Sequence, residues 1–297
     1  MLVFACPGQG SQSQGFLTPW IAVKPSLLKR MELLSAACGK DLVKLGTESD
    51  EETIRRTENA QPLIVGSAIA IYREFFDGQA DATVGHSVGE FAAAAISGII
   101  SDEEAMRLVN VRATAMQRAA ESEPTTMAAI IGGEESQVLE SIESAGVFAA
   151  NYNGAGQIVA AGSRSGIDHL LANAPERARV IELKVAGAFH THYMTYAVQE
   201  LAEAAGSVQA SDPKILIWTN LDGRLVTSGA EFLNLMVTQT ANSVRWDKCM
   251  DQLQSAGAKV VELPPAGARS GLIKRGAPAA SALALKSPDD VLKVAEL

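Results

Sequence analysis

Apolar positions along this chain fall into two rhythms. Short unbroken runs end at glycine or proline: Leu2-Val3-Phe4-Ala5-Cys6 before Pro7-Gly8, Ala82-Thr83-Val84 before Gly85, and Val260-Val261-Glu262-Leu263 before Pro264-Pro265. Lys214-Ile215-Leu216-Ile217-Trp218-Thr219-Asn220 runs likewise into Asp222-Gly223. Such runs read as strands buried on both faces. Between them apolar residues recur at helical spacing. Residues 25–45 and 50–76 read as helices, with a restart at Gln61-Pro62-Leu63 that puts Pro62 in a first turn. Ser101-Asp102-Glu103-Glu104 is a capping-box start. The helix behind it carries Met106, Val109 and Ala113 on one face and Arg107, Arg112 and Arg118 elsewhere. Further helices follow Ala230 and start near Ser287-Pro288. Strands alternating with helices predict an α/β fold with a mainly parallel sheet.

The rhythm changes over residues 125–185. Thr126–Ile131, Val147–Tyr152, Gln157–Ala161 and Arg179–Leu183 read as strands, and Glu134–Ala145 and Ser165–Ala174 as helices. Asn153-Gly154-Ala155-Gly156 is a hairpin turn between the middle two strands. The order β-α-β-β-α-β is ferredoxin-like. The expectation is a small α+β subdomain, residues 123–187, inserted into a larger α/β-hydrolase-like domain made of 1–122 and 188–297.

Composition narrows the class. The 297 residues are 47% hydrophobic and 20% charged, with a net charge of -9. No basic run offers phosphate contacts, so nucleic acid is not an expected partner. Cys6, Cys38 and Cys249 are too few and scattered for a disulfide frame or a metal site. No leader is visible, and the apolar run Phe91–Ile100 is too short to span a bilayer. A cytoplasmic protein with no metal, no cofactor and no membrane contact is expected. A monomer would suffice, though the sequence leaves the oligomeric state open.

The chemistry centres on Gly85-His86-Ser87-Val88-Gly89, with a strand before it and the Ala-rich run Phe91–Ile96 behind it. That is the setting of a nucleophile elbow. The glycines relieve crowding in the turn, and the helix N-terminus favours an oxyanion. Serine needs a base, and the chain has four histidines. His86 should leave the elbow on the other side, and His169 falls on a surface helix. His190 and His192 remain. Pro7-Gly8-Gln9-Gly10-Ser11-Gln12 follows the first strand and could lend N–H groups to a site at the sheet's end. It lacks the lysine of a P-loop.

Four separated motifs now converge: Pro7-Gly8-Gln9-Gly10-Ser11-Gln12, Gly85-His86-Ser87-Val88-Gly89-Glu90, Val111-Arg112 and Ala188-Phe189-His190-Thr191. In order and spacing they resemble malonyl-CoA:acyl carrier protein transacylases, over nearly the whole chain. The resemblance implies acylation of Ser87, with His190 as base. It implies an oxyanion hole from the backbone N–H groups of Gln9 and Val88, and Arg112 on the malonyl carboxylate. It makes Gln239 the residue whose carbonyl orients His190, and matches Asn153 to a hairpin asparagine. Phe189, where relatives that take branched units carry serine, favours unsubstituted malonyl. The implied partners are malonyl-CoA and acyl carrier protein. Arg177, Arg179, Lys274 and Arg275 are candidate contacts for that acidic carrier. Two departures stand out: Ser243 replaces a usual proline, and Leu263-Pro264-Pro265-Ala266-Gly267 replaces V-G-P-G.

The rival class is a serine hydrolase or thioesterase. An α/β-hydrolase places its histidine last in the chain, and here none follows His192. A patatin-like Ser-Asp dyad would use Asp222, just after a strand.

Overall fold

The computed structural model describes every residue, Met1–Leu297. Its ten strands are β1 Leu2–Cys6, β2 Ala82–Gly85, β3 Thr125–Gly132, β4 Phe148–Gly154, β5 Gln157–Ser163, β6 Ala178–Glu182, β7 Leu216–Trp218, β8 Val244–Arg245, β9 Lys259–Glu262 and β10 Ser281–Ala284. They form two five-stranded sheets.

The first sheet has the order β10-β9-β1-β2-β7 and is parallel throughout. Val3, Phe4, Ala5 and Cys6 are all wholly buried, as a central strand requires. The register sets the site. Cys6 pairs with Gly85 and Val84 with Trp218, so β1, β2 and β7 end nearly level. The loops after them therefore meet at one edge, as binding loops of open parallel sheets do. Ala5 pairs with Glu262, which brings the loop after β9 to the same edge.

The second sheet has the order β6-β3-β5-β4-β8. Its first four strands are antiparallel in the ferredoxin-like order, and β8 adds in parallel at the β4 edge. Period-two alternation splits its side chains between two cores. Ala128, Ile130, Ile158 and Ala160 pack under helices Glu135–Ser144 and Arg164–Ala172. Met127, Ala129, Val159 and Ala161 pack on the other face with Met116, Phe189 and Met194. β8 is tied down by Ser243, whose hydroxyl donates to the Ala149 carbonyl at 2.6 Å.

Several boundaries differ from the sequence expectation. The helix over 25–45 stops at Cys38, where Gly39 takes φ 69°, and Leu42–Thr47 restarts under an Asp41 cap. The helix containing Pro62 starts at Thr57, so Pro62 lies inside it. Its start is held from afar, Gln117 Oε1 accepting the Thr57 N–H at 3.0 Å. No local pattern carries that signal. The strand expected over 214–220 is confined to β7, because Asn220 turns away to bind the elbow. The C-terminal segment Pro288–Glu296 is 3-10 rather than α. β10 and the helices Trp246–Ser255 and Ala268–Gly276 were not expected. The capping box at Ser101 and Glu104 is present, and starts helix Asp102–Ser122.

Candidate active site

The elbow is built by steric necessity. Ser87 sits at φ 53°, between β2 and helix Gly89–Ile96. A Cβ on Gly85 would lie 2.2 Å from the Glu90 nitrogen, and one on Gly89 2.3 Å from the Cys6 carbonyl oxygen. Only glycine fits at either position. Strain of this kind persists only where neighbours over-determine it. Asn220, wholly buried, supplies that restraint. It accepts the Ser87 N–H at 2.6 Å and donates to the Gly85 carbonyl at 2.6 Å.

Ser87 Oγ lies 2.7 Å from His190 Nε2, and His190 Nδ1 lies 3.0 Å from the Gln239 carbonyl oxygen. A carbonyl can only accept, so Nδ1 carries the proton and Nε2 is free to take one from serine. Burial, then the nearby Arg112 charge, depresses the His190 pKa to about 3. The imidazole is therefore neutral at physiological pH.

Arg112 is wholly buried, which corrects the expectation that it lies off the packed face of its helix. It donates to Gln61 Oε1 at 2.7 Å, Gln239 Oε1 at 3.3 Å, Thr240 Oγ1 at 3.3 Å and Ser87 Oγ at 3.4 Å. Burial lowers its pKa to about 10, opposed by the Glu90 charge, so it stays cationic. Glu90 is buried behind the serine and accepts from the Asn220 N–H at 2.7 Å and Gln239 Nε2 at 2.8 Å. Burial pushes its carboxyl up to about 8. Gln61, Glu90, Asn220 and Thr240 were not singled out in the sequence. Glu90 alone left a signal there, as an acid inside an apolar helix.

A cavity of about 520 Å³ opens over Ser87 and His190, lined also by Gln9, Asn153 and Phe189. The N–H groups of Gln9 and Val88 donate to no acceptor in the chain. Asn153 Oδ1 lies 3.1 Å from His86 Nε2. His86 is thus in the cavity wall, not on the far side of the elbow. His192 packs edge-on against Phe148 and tilted against Tyr193 and does not line the cavity over Ser87, and His169 is exposed. Asp222 is half-exposed and paired with Arg224 at 3.3 Å, so the Ser-Asp dyad does not form. Of the four suggested carrier contacts, Arg275 lines the cavity while Arg177 pairs with Glu176 in solvent.

A strained serine on a helix N-terminus, paired with a neutral histidine, defines an acyl-transferring or acyl-hydrolysing enzyme. The family model of the acyl transferase domain matches residues 3–278. The malonyl CoA-acyl carrier protein transacylase of Mycobacterium tuberculosis is 40% identical over 303 residues, covering all of both chains. That of Escherichia coli K12 is 31% identical over 304 residues, covering 99% of this chain and 98% of its own. The crystal structure of MCAT from Mycobacterium tuberculosis superposes with a TM-score of 0.95 at 40% identity, covering 99% of each chain. The chain belongs to the acyl transferase family, among relatives that are malonyl CoA-acyl carrier protein transacylases. No helix is long and apolar enough to cross a membrane.

Proposed function

We propose that the chain moves a malonyl group from malonyl-CoA to the phosphopantetheine thiol of acyl carrier protein, through an ester on Ser87. His190 Nε2 takes the serine proton as Oγ attacks the thioester carbon. The oxyanion is received by the N–H groups of Gln9 and Val88, aligned with a helix N-terminus. The C–S bond breaks as His190 gives that proton to the departing sulfur, so CoA leaves as the free thiol and the imidazole is neutral again. The carrier thiol then returns its proton to His190, attacks the ester, and Ser87 recovers the proton as the acyl C–O bond breaks. Gln239 orients the imidazole through its carbonyl, Asn153 steadies the cavity wall through His86, and Phe189 narrows the acyl space.

The observation that carries this reading is Arg112, a buried guanidinium 3.4 Å from the nucleophile. A hydrolase of simple esters has no use for such a cation. A free carboxylate on the acyl chain pairs with its planar fork. Residues 123–187 act as the inserted subdomain that walls one side of the cavity, and the setting is the cytoplasm.

The test is mass spectrometry of the intact protein after mixing with malonyl-CoA, with and without carrier protein. One malonyl group should appear, disappear on adding carrier, and be absent in Ser87→Ala. Arg112→Ala should lower the malonyl-to-acetyl rate ratio by about 10²- to 10³-fold, since leaving one buried charge unpaired costs several kcal/mol. Release of free malonate at the same rate with or without carrier would instead make the protein a hydrolase.

A further inference from the structure

Ten buried side-chain nitrogen and oxygen atoms in the molecule lack a hydrogen-bond partner. Four of them, Ser11 Oγ, His86 Nδ1 and Nε and Nη1 of Arg269, belong to residues lining the cavity over Ser87. Buried polar atoms are nearly always paired, so this concentration marks a place built for a guest.

Arg269 is the most telling. It is 91% buried, at 9% exposure, near the start of helix Ala268–Gly276. Its natural counter-ion is Glu262, buried at the end of β9. That carboxylate is already committed to the main chain, accepting the N–H groups of Gly267 at 2.9 Å, Arg269 at 2.9 Å and Ser270 at 2.8 Å. Glu262 therefore balances the charge without coordinating the guanidinium. No nitrogen of the Arg269 guanidinium donates to any acceptor in the chain, and burial lowers its pKa only to about 10. It remains a cation with its donors unused, which is costly unless an acceptor arrives.

His86 is the complement. Asn153 Oδ1 takes the proton on its Nε2, so Nδ1 is a bare acceptor. The ring cannot accept a proton to fill that need, because burial and the Arg269 charge hold its pKa well below the usual value. Gly8 lies directly against it, where a Cβ would be 2.6 Å from Nδ1. One wall of the cavity thus offers a strong donor and an unfilled acceptor that do not satisfy each other. A group that both accepts and donates would meet both needs.

Accepting the acyl-transfer reading above, we propose that Arg269 and His86 form a subsite for an amide of the pantetheine arm, the arginine donating to its carbonyl and His86 Nδ1 accepting its N–H. The amide nitrogen nearest the thioester is three bonds from the departing sulfur. His86, Arg269 and Ser87 line the same cavity, so the arm of a thioester bound at Ser87 runs past this pair. The subsite reads the arm that CoA and carrier protein share. It is separate from Arg112, which faces the acyl group.

The test compares two small malonyl thioesters: malonyl-N-acetylcysteamine, which has this amide, and S-ethyl malonyl thioester, which does not. The readout is the kcat/KM for Ser87 acylation on each. The parent protein should favour the amide substrate, and in Arg269→Met that preference should shrink by about ten- to a hundredfold, the range a hydrogen bond from a charged donor supports. The loss should appear in KM more than in kcat, with Arg269→Lys intermediate. A preference unchanged in Arg269→Met overturns the subsite and leaves it a water-filled recess. If the variants do not fold, the parent decides: equal kcat/KM on the two thioesters overturns it too. Failure of the parent to be acylated by either would sink the acyl-transfer reading, and the subsite with it.

Discussion

At the scale of the residue, the protonation state of His190 decides when the site works. Its Nε2 must be free to accept from Ser87, and its depressed pKa keeps it so well into acid. The sign is simple: lowering the pKa removes the acid limb from its usual place near 6.5 and moves it down. The pH dependence of kcat/KM for acylation reports the free enzyme. It should be flat from about pH 7.5 to 5, where an ordinary histidine would have lost most of its activity. A midpoint near 6.5 in stopped-flow acylation by malonyl-CoA would mean that the imidazole is not buried as described. The Ser87–His190 pairing was expected from motif order and is found at 2.7 Å. The rest of the network was not legible in the same way. Asn220 sits at the end of a strand and reads as an ordinary turn residue. Its role arises only because β7 pairs with β2 and delivers it beneath Ser87. By helical pattern alone Arg112 looked like one of several helix arginines; the motif spacing set it apart from Arg107 and Arg118, and its burial in the fold does so physically.

At the scale of the element, the elbow, the first loop and the helix behind them form one close-packed unit. Gly89 touches the exit of β1, and its missing Cβ is what lets helix Gly89–Ile96 lie against the loop holding Gln9. Gly39 makes a useful contrast, since it has a positive φ of 69° but nothing within 4 Å of a Cβ. Gly39→Ala should cost about 1 kcal/mol, the strain of a left-handed alanine alone. Gly89→Ala meets backbone that cannot swing aside, and should cost at least about 3 kcal/mol. It should also slow Ser87 acylation in whatever fraction remains folded, by shifting Gln9. Urea titrations of the two variants compare them directly, and equal midpoints would show that the elbow can relax. The same contrast explains which elements were readable. β1, β2, β9 and the four antiparallel strands of the second sheet announce themselves through apolar runs and turn residues. β10 and helix Ala268–Gly276 do not, because they are stabilised by pairing with β9 and by Glu262 capping from outside the segment. The start at Thr57 belongs to the same group, fixed by Gln117 sixty residues away.

At the scale of the whole molecule, three buried groups around the elbow should shape stability against pH between about 4.5 and 8. His86 and His190 have folded pKa values below the unfolded 6.5, so below that pH the unfolded chain binds protons that the native one refuses. Stability is then lost as pH falls through 6.5, by about 1.4 kcal/mol per pH unit for each histidine. Glu90 acts in the opposite direction. Its folded pKa of about 8 exceeds the ordinary 4.5, so the native state holds a proton that the unfolded chain has released. Its contribution is fully present below 4.5 and is lost as pH rises towards 8, again by about 1.4 kcal/mol per unit. Between 4.5 and 6.5 two histidines outweigh one glutamate, and stability rises with pH. Above 6.5 the histidine effect fades, since both states are neutral, and the glutamate effect is left to lower it. The two balance where each unfolded histidine is half-protonated, which places the maximum near pH 6.5. Asp50, Glu74 and Asp290 are shifted downward from 4.5 or below, so they act below this window. Urea unfolding at pH 5, 6.5 and 8 should therefore give its highest midpoint at 6.5, and Glu90→Gln should abolish the decline towards pH 8 whatever its absolute stability. A midpoint that climbs steadily from pH 5 to 8 in the parent protein would mean that Glu90 is ionised in the fold, held as a carboxylate by Arg112 and its two N–H donors.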